Sequence, residues 1–450
     1  MNVEFFEKHF NVKLGLNLEK FSEVSTDTRT VQKGALFIAL KGENFDGNKF
    51  AKDALDKGAA VALVSDKSLK GSVVCVEDTL KSFQGLAKAW QDFVKPKVVG
   101  ITGSNGKTTS KFFTAQILEH FFKVSFSPKS FNNEIGVPIT QTLLKEGDQV
   151  LVSEIGTNAK GEIKELTGLV EPHIAVVTTV GPSHLEGFGT VDNVALEKSE
   201  IYRSKNLETA IFNLDNKWTL QMYESFKGKK ISFSTKDSGA DICLKPIQVD
   251  IDELHLSGRV QDRPVDFTCA VFGEHNAYNV MTALAVGVSL GVDVNDLVSK
   301  AKDIETPWGR SQILKSSSGG KVLFDGYNSN MQSMEALFSG VEPLIKSGKR
   351  VHLILGEMLE LGDETVKMHK KLGRKAGLLK VDSILFIGPS FKHFKEGVES
   401  SKFRKNLVIS NTYNDSLAID IQNVLDPKDI VVLKGSRGMK LERFFNVLGL

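Results

Sequence analysis

The chain has 450 residues, too many for one hydrophobic core, and at roughly 100–200 residues per domain about three domains are expected. Hydrophobic residues make up 41% and charged residues 25%, an ordinary globular balance that excludes wholesale disorder. Lysines plus arginines (57) nearly match aspartates plus glutamates (55), leaving +2, so neither nucleic acid nor a membrane surface is expected as a partner and any anion must be held by local groups.

In chain order, the opening MNVEFFEKHF lacks a basic segment followed by an apolar stretch. No uncharged apolar run reaches the ~20 residues that span a bilayer. A cytoplasmic monomer without membrane insertion is the expectation. Cys75, Cys243 and Cys269 are widely spaced and odd in number, which indicates neither a disulfide framework nor a zinc site. Short apolar runs, ALFIAL (Ala35–Leu40) and AAVALV (Ala59–Val64), read as strands around a polar loop, KGENFDGNKF, and a helix, AKDALDKG. Near Lys95–Pro96 a second unit begins and alternates strictly: strand KVVGI, helix TTSKFFTAQILEHFF, strand QVLVSEI, helix GEIKELTGL, strand HIAVVTTV. Such alternation predicts a parallel sheet with helices on both faces. Phe113, Ile117 and Phe121 recur every fourth residue and are expected to face that sheet. Residues 205–270 look strand-rich, and HNAYNVMTALAVGVSLG reads as a helix stopped by glycine. Thr306-Pro-Trp-Gly-Arg310 reads as a linker. Beyond it, KVLFDGY, RVHLILGE, SILFIG and DIVVLKG predict a smaller α/β unit. The domains are therefore placed at 1–94, 95–310 and 311–450.

The strongest local signal is the run from Gly100 to Thr109, GITGSNGKTT, between an apolar strand and a helix. Glycines let backbone N–H groups approach a polyphosphate, and a helix N-terminus adds partial positive charge. Lys107 can reach the β- and γ-phosphates of ATP, and the Thr108 hydroxyl can bind Mg2+. The spacing departs from G-x-x-x-x-G-K-[ST], because Ile101 occupies the first glycine position and Gly103 and Gly100 lie three and six residues before Gly106.

The loop TGSNGKTT resembles that of the Mur ligases and their folylpolyglutamate-synthase relatives, which share this departure. The likeness extends over nearly the whole chain. Ser25-Thr-Asp-Thr-Arg29 and GALFIALKGENFDG are similar to a UDP-binding domain. FNNEIGVPIT, SEIGTNAKGEI, GPSHLEGFGT, ALEKSEIY and GEHNAYN follow in the middle, then DGYNSN, LGEMLELG and LKGSRGMKLE. Within the family, NNEIGVP, HLEGFG, YNSN and GEMLELG resemble the member that joins D-alanyl-D-alanine to UDP-N-acetylmuramoyl-tripeptide in peptidoglycan synthesis; a sibling that adds another amine is the alternative. Three positions depart from that pattern: Asn48 stands where histidine is common, Glu357 replaces Asp, and Met331 replaces Pro.

The resemblance implies an α/β fold of three domains: an N-terminal UDP-binding unit, a central P-loop-type parallel sheet and a C-terminal Rossmann-like unit. It implies an ATP-dependent ligase working through an acyl phosphate, with Gly103, Ser104, Asn105, Gly106, Lys107, Thr108 and Thr109 on the nucleotide. Two Mg2+ sites follow by resemblance. Thr108 and Glu154 serve the first, and His184 serves the second together with Lys198, which the family makes an N-carboxylated lysine. Asn276 and Asn279 are implied near the ATP base and phosphates, although asparagines opening a helix are also ordinary caps. Arg310 and Asp325 complete the nucleotide site from the third domain's side. Thr26 and Thr28 match UDP contacts or form a plain turn. Asn132 and Asn133 are implied to meet the muramoyl-peptide. Lys434, Ser436 and Arg437 either hold the dipeptide carboxylate or cap the last strand. Thr306–Arg310 is the expected hinge, with the third domain open in the absence of ligand.

Overall fold

The apolar runs assemble into three sheets in the computed structural model, which describes residues 1–42, 45–317, 319–414, 416–417, 425–426 and 428–450. Glu43 and Asn44 of the loop KGENFDGNKF lie outside the described residues. The first sheet is wholly parallel, with strands Val24–Ser25, Leu36–Ile38, Val61–Val64 and Val73–Cys75 in sequential order. Asn48, one of the departures from the family pattern, is buried there. Its Oδ1 accepts from the Ser65 N–H at 2.9 Å and its Nδ2 donates to Asp46, so it pins the loop to the third strand's end.

The helix Thr79–Val94 closes this unit but belongs to two cores. Phe83 and Leu86 pack under the first sheet, whereas Trp90 packs under the second and donates to the Leu144 carbonyl at 2.9 Å. The chain is then turned into the central domain by Lys95 in a left-handed conformation.

The central sheet has nine strands. Val124–Phe126, Val150–Glu154, Lys97–Thr102, Ile174–Val177, Thr209–Asn213, Lys230–Ser234 and Ile242–Asp250 run parallel, and the antiparallel strands Glu253–Val260 and Arg263–Cys269 extend it. Helix Lys107–Leu118 buries Phe113 and Ile117 in a core shared with helix His275–Ser289. Phe121 packs against the same core from beyond the helix end, because the helix stops three residues earlier.

The third sheet orders Gln312–Lys315, Lys321–Asp325, Ile430–Lys434, Val351–Gly356, Ser383–Ile387 and Asn406–Ser410, parallel except at its first strand. The protein is thus a three-domain α/β molecule, as expected. Glu357 is buried at the end of one central strand, where its carboxylate accepts from the Ser390 backbone N–H and hydroxyl. Met331 opens the helix Met331–Lys346 behind an Asn330–Ser333 capping box. Two of the central domain's apolar residues, Ile251 and Phe272, sit in the third domain's core. The central and third domains are docked against each other. Side-chain amides close the gap: Asn105 Nδ2 donates to Gln332 at 2.8 Å, and Asn330 Nδ2 donates to Asn105 at 3.0 Å.

Candidate functional site

Parallel strands present ligands at their carboxyl edge, and there the phosphate loop, two central strand ends and the third domain enclose a cleft of about 390 Å³. The strand Lys97–Thr102 delivers the chain to Gly103, whose φ of +150° leaves no room for a side chain: a Cβ would stand 2.0 Å from Thr178 Oγ1. Gly106, at φ +85°, likewise lies against Asn279. The loop is bound from behind, since the Ser104 N–H donates to the Thr179 carbonyl at 2.8 Å and Thr178 Oγ1 donates to the Asn105 carbonyl at 2.6 Å. No side chain caps the helix that follows, so its first amides stay available to an anion.

Lys107 Nζ donates to the Gly103 carbonyl at 2.7 Å. Burial lowers its ammonium from the ordinary lysine range; Glu154 opposes that shift and Arg310 adds to it. The Thr108 hydroxyl meets Ser130 Oγ at 3.1 Å, and Thr109 lines the cleft beside it. Glu154 is 1% exposed at the end of its strand. Its Oε1 accepts from Asn132 Nδ2 at 2.8 Å, whereas Oε2 is buried without a hydrogen-bond partner. Asn133 lines the cleft too, while its Oδ1 accepts from the Gly136 N–H at 2.9 Å and starts the next helix.

His184 lines the cleft with φ at +51°, a conformation that costs a non-glycine residue about 1 kcal/mol or more and is often found at functional sites. Burial, then the charges of Lys107 and Lys198, lower its pKa, so its ring is neutral at pH 7. Lys198 is buried in the helix Val191–Ser199. Burial first, then Lys107, hold its ammonium well below the usual range. The adjacent Glu197 is occupied, accepting from the N–H groups of Gly161 and Ile163 at 2.8 and 2.7 Å.

From the third domain's side, Arg310, Ser436 and Arg437 line the cleft. The Arg310 guanidinium lies 4.3 Å over the Tyr327 ring, and its Nε is buried without a partner. Arg437 stacks 4.8 Å over Trp308 and donates to Glu442 at 2.6 Å. Asp325 and Lys434 pair with each other at 2.6 Å outside the cleft lining. Asn276 and Asn279 also stand behind it, joined to each other at 2.7 Å, and Asn279 accepts from Ser110 at 2.9 Å. Their observed work is to brace the phosphate loop. Thr26 and Thr28 flank Asp27 on the turn after the first strand. Arg29 holds the Asp27 carboxyl at about 2, and Lys129 of the central domain adds to the effect.

Several residues in or around the cleft carried no signal in the sequence. Lys111 reads as a helix-surface lysine but is fully buried, 3.5 Å from Glu154 Oε2. Its spacing of four from Lys107, which places both on one helix face, is the only available hint. Ser130 and Gln332 lie in loops or at a helix start where nothing in the sequence distinguishes them.

Lys107 and Arg310 thus line the cleft, and Lys111 stands buried behind it beside the Glu154 carboxylate, a field suited to a polyanion. Among the described residues no group of three or more His, Cys, Asp or Glu side chains forms a metal cage. A carboxylate and a hydroxyl on one cleft, Glu154 and Thr108, suit Mg2+, which keeps few protein ligands and takes the rest from water and phosphate.

Three family models cover most of the chain: the Mur ligase family catalytic domain over residues 20–83, the Mur ligase middle domain over 101–287, and the Mur ligase glutamate ligase domain over 309–437. The UDP-N-acetylmuramoyl-tripeptide--D-alanyl-D-alanine ligase of Bacillus subtilis is 33% identical over 424 residues, 93% of this chain and 91% of that protein. A crystal structure of MurF from Acinetobacter baumannii superposes with a TM-score of 0.87 at 26% identity, covering 99% of this chain and 98% of that one. MurF from Thermotoga maritima in complex with ADP has the same fold, with a TM-score of 0.81 at 24% identity over 95% of this chain and 97% of that one.

Proposed function

The chain belongs to the Mur ligase family, and from that premise we propose that it joins D-alanyl-D-alanine to UDP-N-acetylmuramoyl-tripeptide at the expense of ATP. It is a ligase of peptidoglycan precursor synthesis, and so serves cell-wall biogenesis, cell shape and cell division. The observation that carries this reading is the convergence of the phosphate loop, Glu154, His184 and the third domain's Arg310, Ser436 and Arg437 on one cleft.

Condensing a carboxylate with an amine in water is uphill. Transfer of the γ-phosphoryl group gives the tripeptide's terminal carboxylate a phosphate leaving group, and the dipeptide's amine then displaces it from the acyl phosphate. ADP and phosphate are released. Tripeptide and ATP are both anionic, so their approach needs positive charge. Lys107 and Arg310 supply it from opposite walls, and the open amides at the start of helix Lys107–Leu118 supply more. Asn132 holds Glu154 in place and, with Asn133, forms the wall on which the muramoyl-peptide lies. Thr26 and Thr28 take the UDP end at the far side of the same loop. Ser436 and Arg437 meet the incoming dipeptide, whereas Lys434 orients Asp325.

Thr108 and Glu154 would hold one Mg2+, and His184 with Lys198 a second; the ions would neutralise charge on the transferring phosphoryl group. A neutral His184 is a competent ligand. Lys198 as an ammonium would repel the ion, but its strongly lowered pKa makes the free amine accessible, and a carbamate formed from CO2 would turn it into an anionic ligand. In this reading the reaction is cytoplasmic, in keeping with its nucleotide and UDP-linked substrates, and the enzyme acts as a monomer.

The test is ADP release. It should require UDP-N-acetylmuramoyl-tripeptide and D-alanyl-D-alanine together, and other amines should not replace the dipeptide. ADP release of equal rate without the UDP-linked acceptor would instead identify an uncoupled ATPase.

A further inference from the structure

Lys111 is 0% exposed on the helix Lys107–Leu118, one turn beyond Lys107. An ammonium is almost never enclosed without partners, because losing its hydration is costly. Here Nζ donates to the Lys129 carbonyl at 2.7 Å and stands 3.5 Å from Glu154 Oε2. That oxygen has no hydrogen-bond partner, while the other accepts from Asn132. One side chain therefore joins the helix behind the phosphate loop, the carboxylate at a strand end, and the loop of residues 127–133. The same loop is also tied to Thr108 through Ser130.

We propose that Lys111 is a positioning residue and the resident counter-ion of Glu154, holding that carboxylate and the substrate loop in register and keeping the nucleotide-free cleft from taking up a divalent cation alone. The inference rests on the reading of Glu154 as a metal ligand. An ammonium 3.5 Å from a carboxylate offsets much of the attraction a second cation would feel. Lys107 and Arg310 add repulsion from the same cleft. A bound polyphosphate reverses the sign of this field, so Mg2+ enters with the nucleotide rather than before it.

The experiment measures Mn2+ binding to the full chain by the electron paramagnetic resonance of the free ion, with and without ADP. Without ADP, Lys111→Met binds Mn2+ about tenfold more tightly than the native enzyme, since one cation has left the site. Lys111→Arg, which keeps the charge, behaves as native. Both native enzyme and Lys111→Met bind Mn2+ with ADP, and adding Glu154→Gln to Lys111→Met removes the gain. Should Lys111→Met fail to fold, Lys111→Gln gives the same comparison, because it discards the charge and keeps a donor for the Lys129 carbonyl. A lowered melting temperature with unchanged Mn2+ affinity would make Lys111 merely structural and overturn the proposal. Loss of Mn2+ binding in Glu154→Gln without any gain in Lys111→Met overturns the role of Lys111 alone. Unaltered Mn2+ binding with ADP in Glu154→Gln removes Glu154 as a ligand and Lys111 with it.

Discussion

At the scale of single residues, the site gathers groups whose pKa values burial and neighbouring charges lower, Lys107, His184 and Lys198 among them. Lys198 is the most consequential. Lys198→Arg should be inactive, because a guanidinium stays cationic and does not carry a carbamate. Lys198→Ala should be nearly inactive, yet acetate or formate should restore part of its activity by filling the vacated ligand position. A Lys198→Arg enzyme with most of its activity would return Lys198 to a purely structural place. His275 gives a separate pH signature. Burial lowers its pKa from the ordinary value near 6.5 to about 4, and its Nδ1 is buried without a partner. The unfolded chain therefore takes up this proton first, so the stability that depends on the neutral ring is complete above pH 6.5 and lost as pH falls toward 4. With allowance for a half-buried residue, the loss is about 2 kcal/mol. His275→Gln should lack that component in urea titrations at pH 7 and pH 4.5; an unchanged difference between the two pH values would contradict it.

At the scale of elements, the strand-turn-helix that holds the phosphates was legible because its chemistry is local: strand, glycines, lysine and helix occur in order within one short run. The strand ends bearing Glu154 and the segment bearing His184 were legible only by resemblance, since nothing local distinguishes a catalytic carboxylate from a solvated one. Lys111 was missed for the same reason, as its burial is decided by Glu154 and Lys129, which lie far off in sequence. Asn276 and Asn279, implied near the ATP base and phosphates, stand behind the loop, where Asn279 accepts from Ser110. The hairpin Ile242–Val260 is another long-range effect. Its tip inserts Ile251, 0% exposed, into the third domain's core, with Asp250 and Asp252 paired to Lys321 at 3.4 and 2.6 Å. Ile251→Ala should cost about 2–4 kcal/mol by leaving a cavity. Ile247→Ala, on the same hairpin at 55% exposure, should stay within about 0.5 kcal/mol. Equal effects in denaturant titrations would mean that the tip is not a structural plug.

At the scale of the whole molecule, three domains and their order followed from alternating hydrophobic runs, but how they meet did not, because the contacts join residues from about fifty to more than two hundred positions apart. Asn105 of the phosphate loop is held by Asn330 and Gln332, while Thr306–Arg310 connects the domains beside it. Ligands of this size need the cleft to widen and then reclose. Small-angle scattering should show a free enzyme larger than this docked form and a compact one with an ATP analogue and UDP-linked tripeptide; superimposable curves would contradict a hinge at Thr306–Arg310. The central claim is chemical, and mass spectrometry of the product tests it most directly. From ATP, UDP-N-acetylmuramoyl-tripeptide and D-alanyl-D-alanine, the account predicts one new species with the mass of the acceptor plus the dipeptide less one water, formed in step with ADP. An acceptor recovered unchanged while ADP accumulates would contradict it.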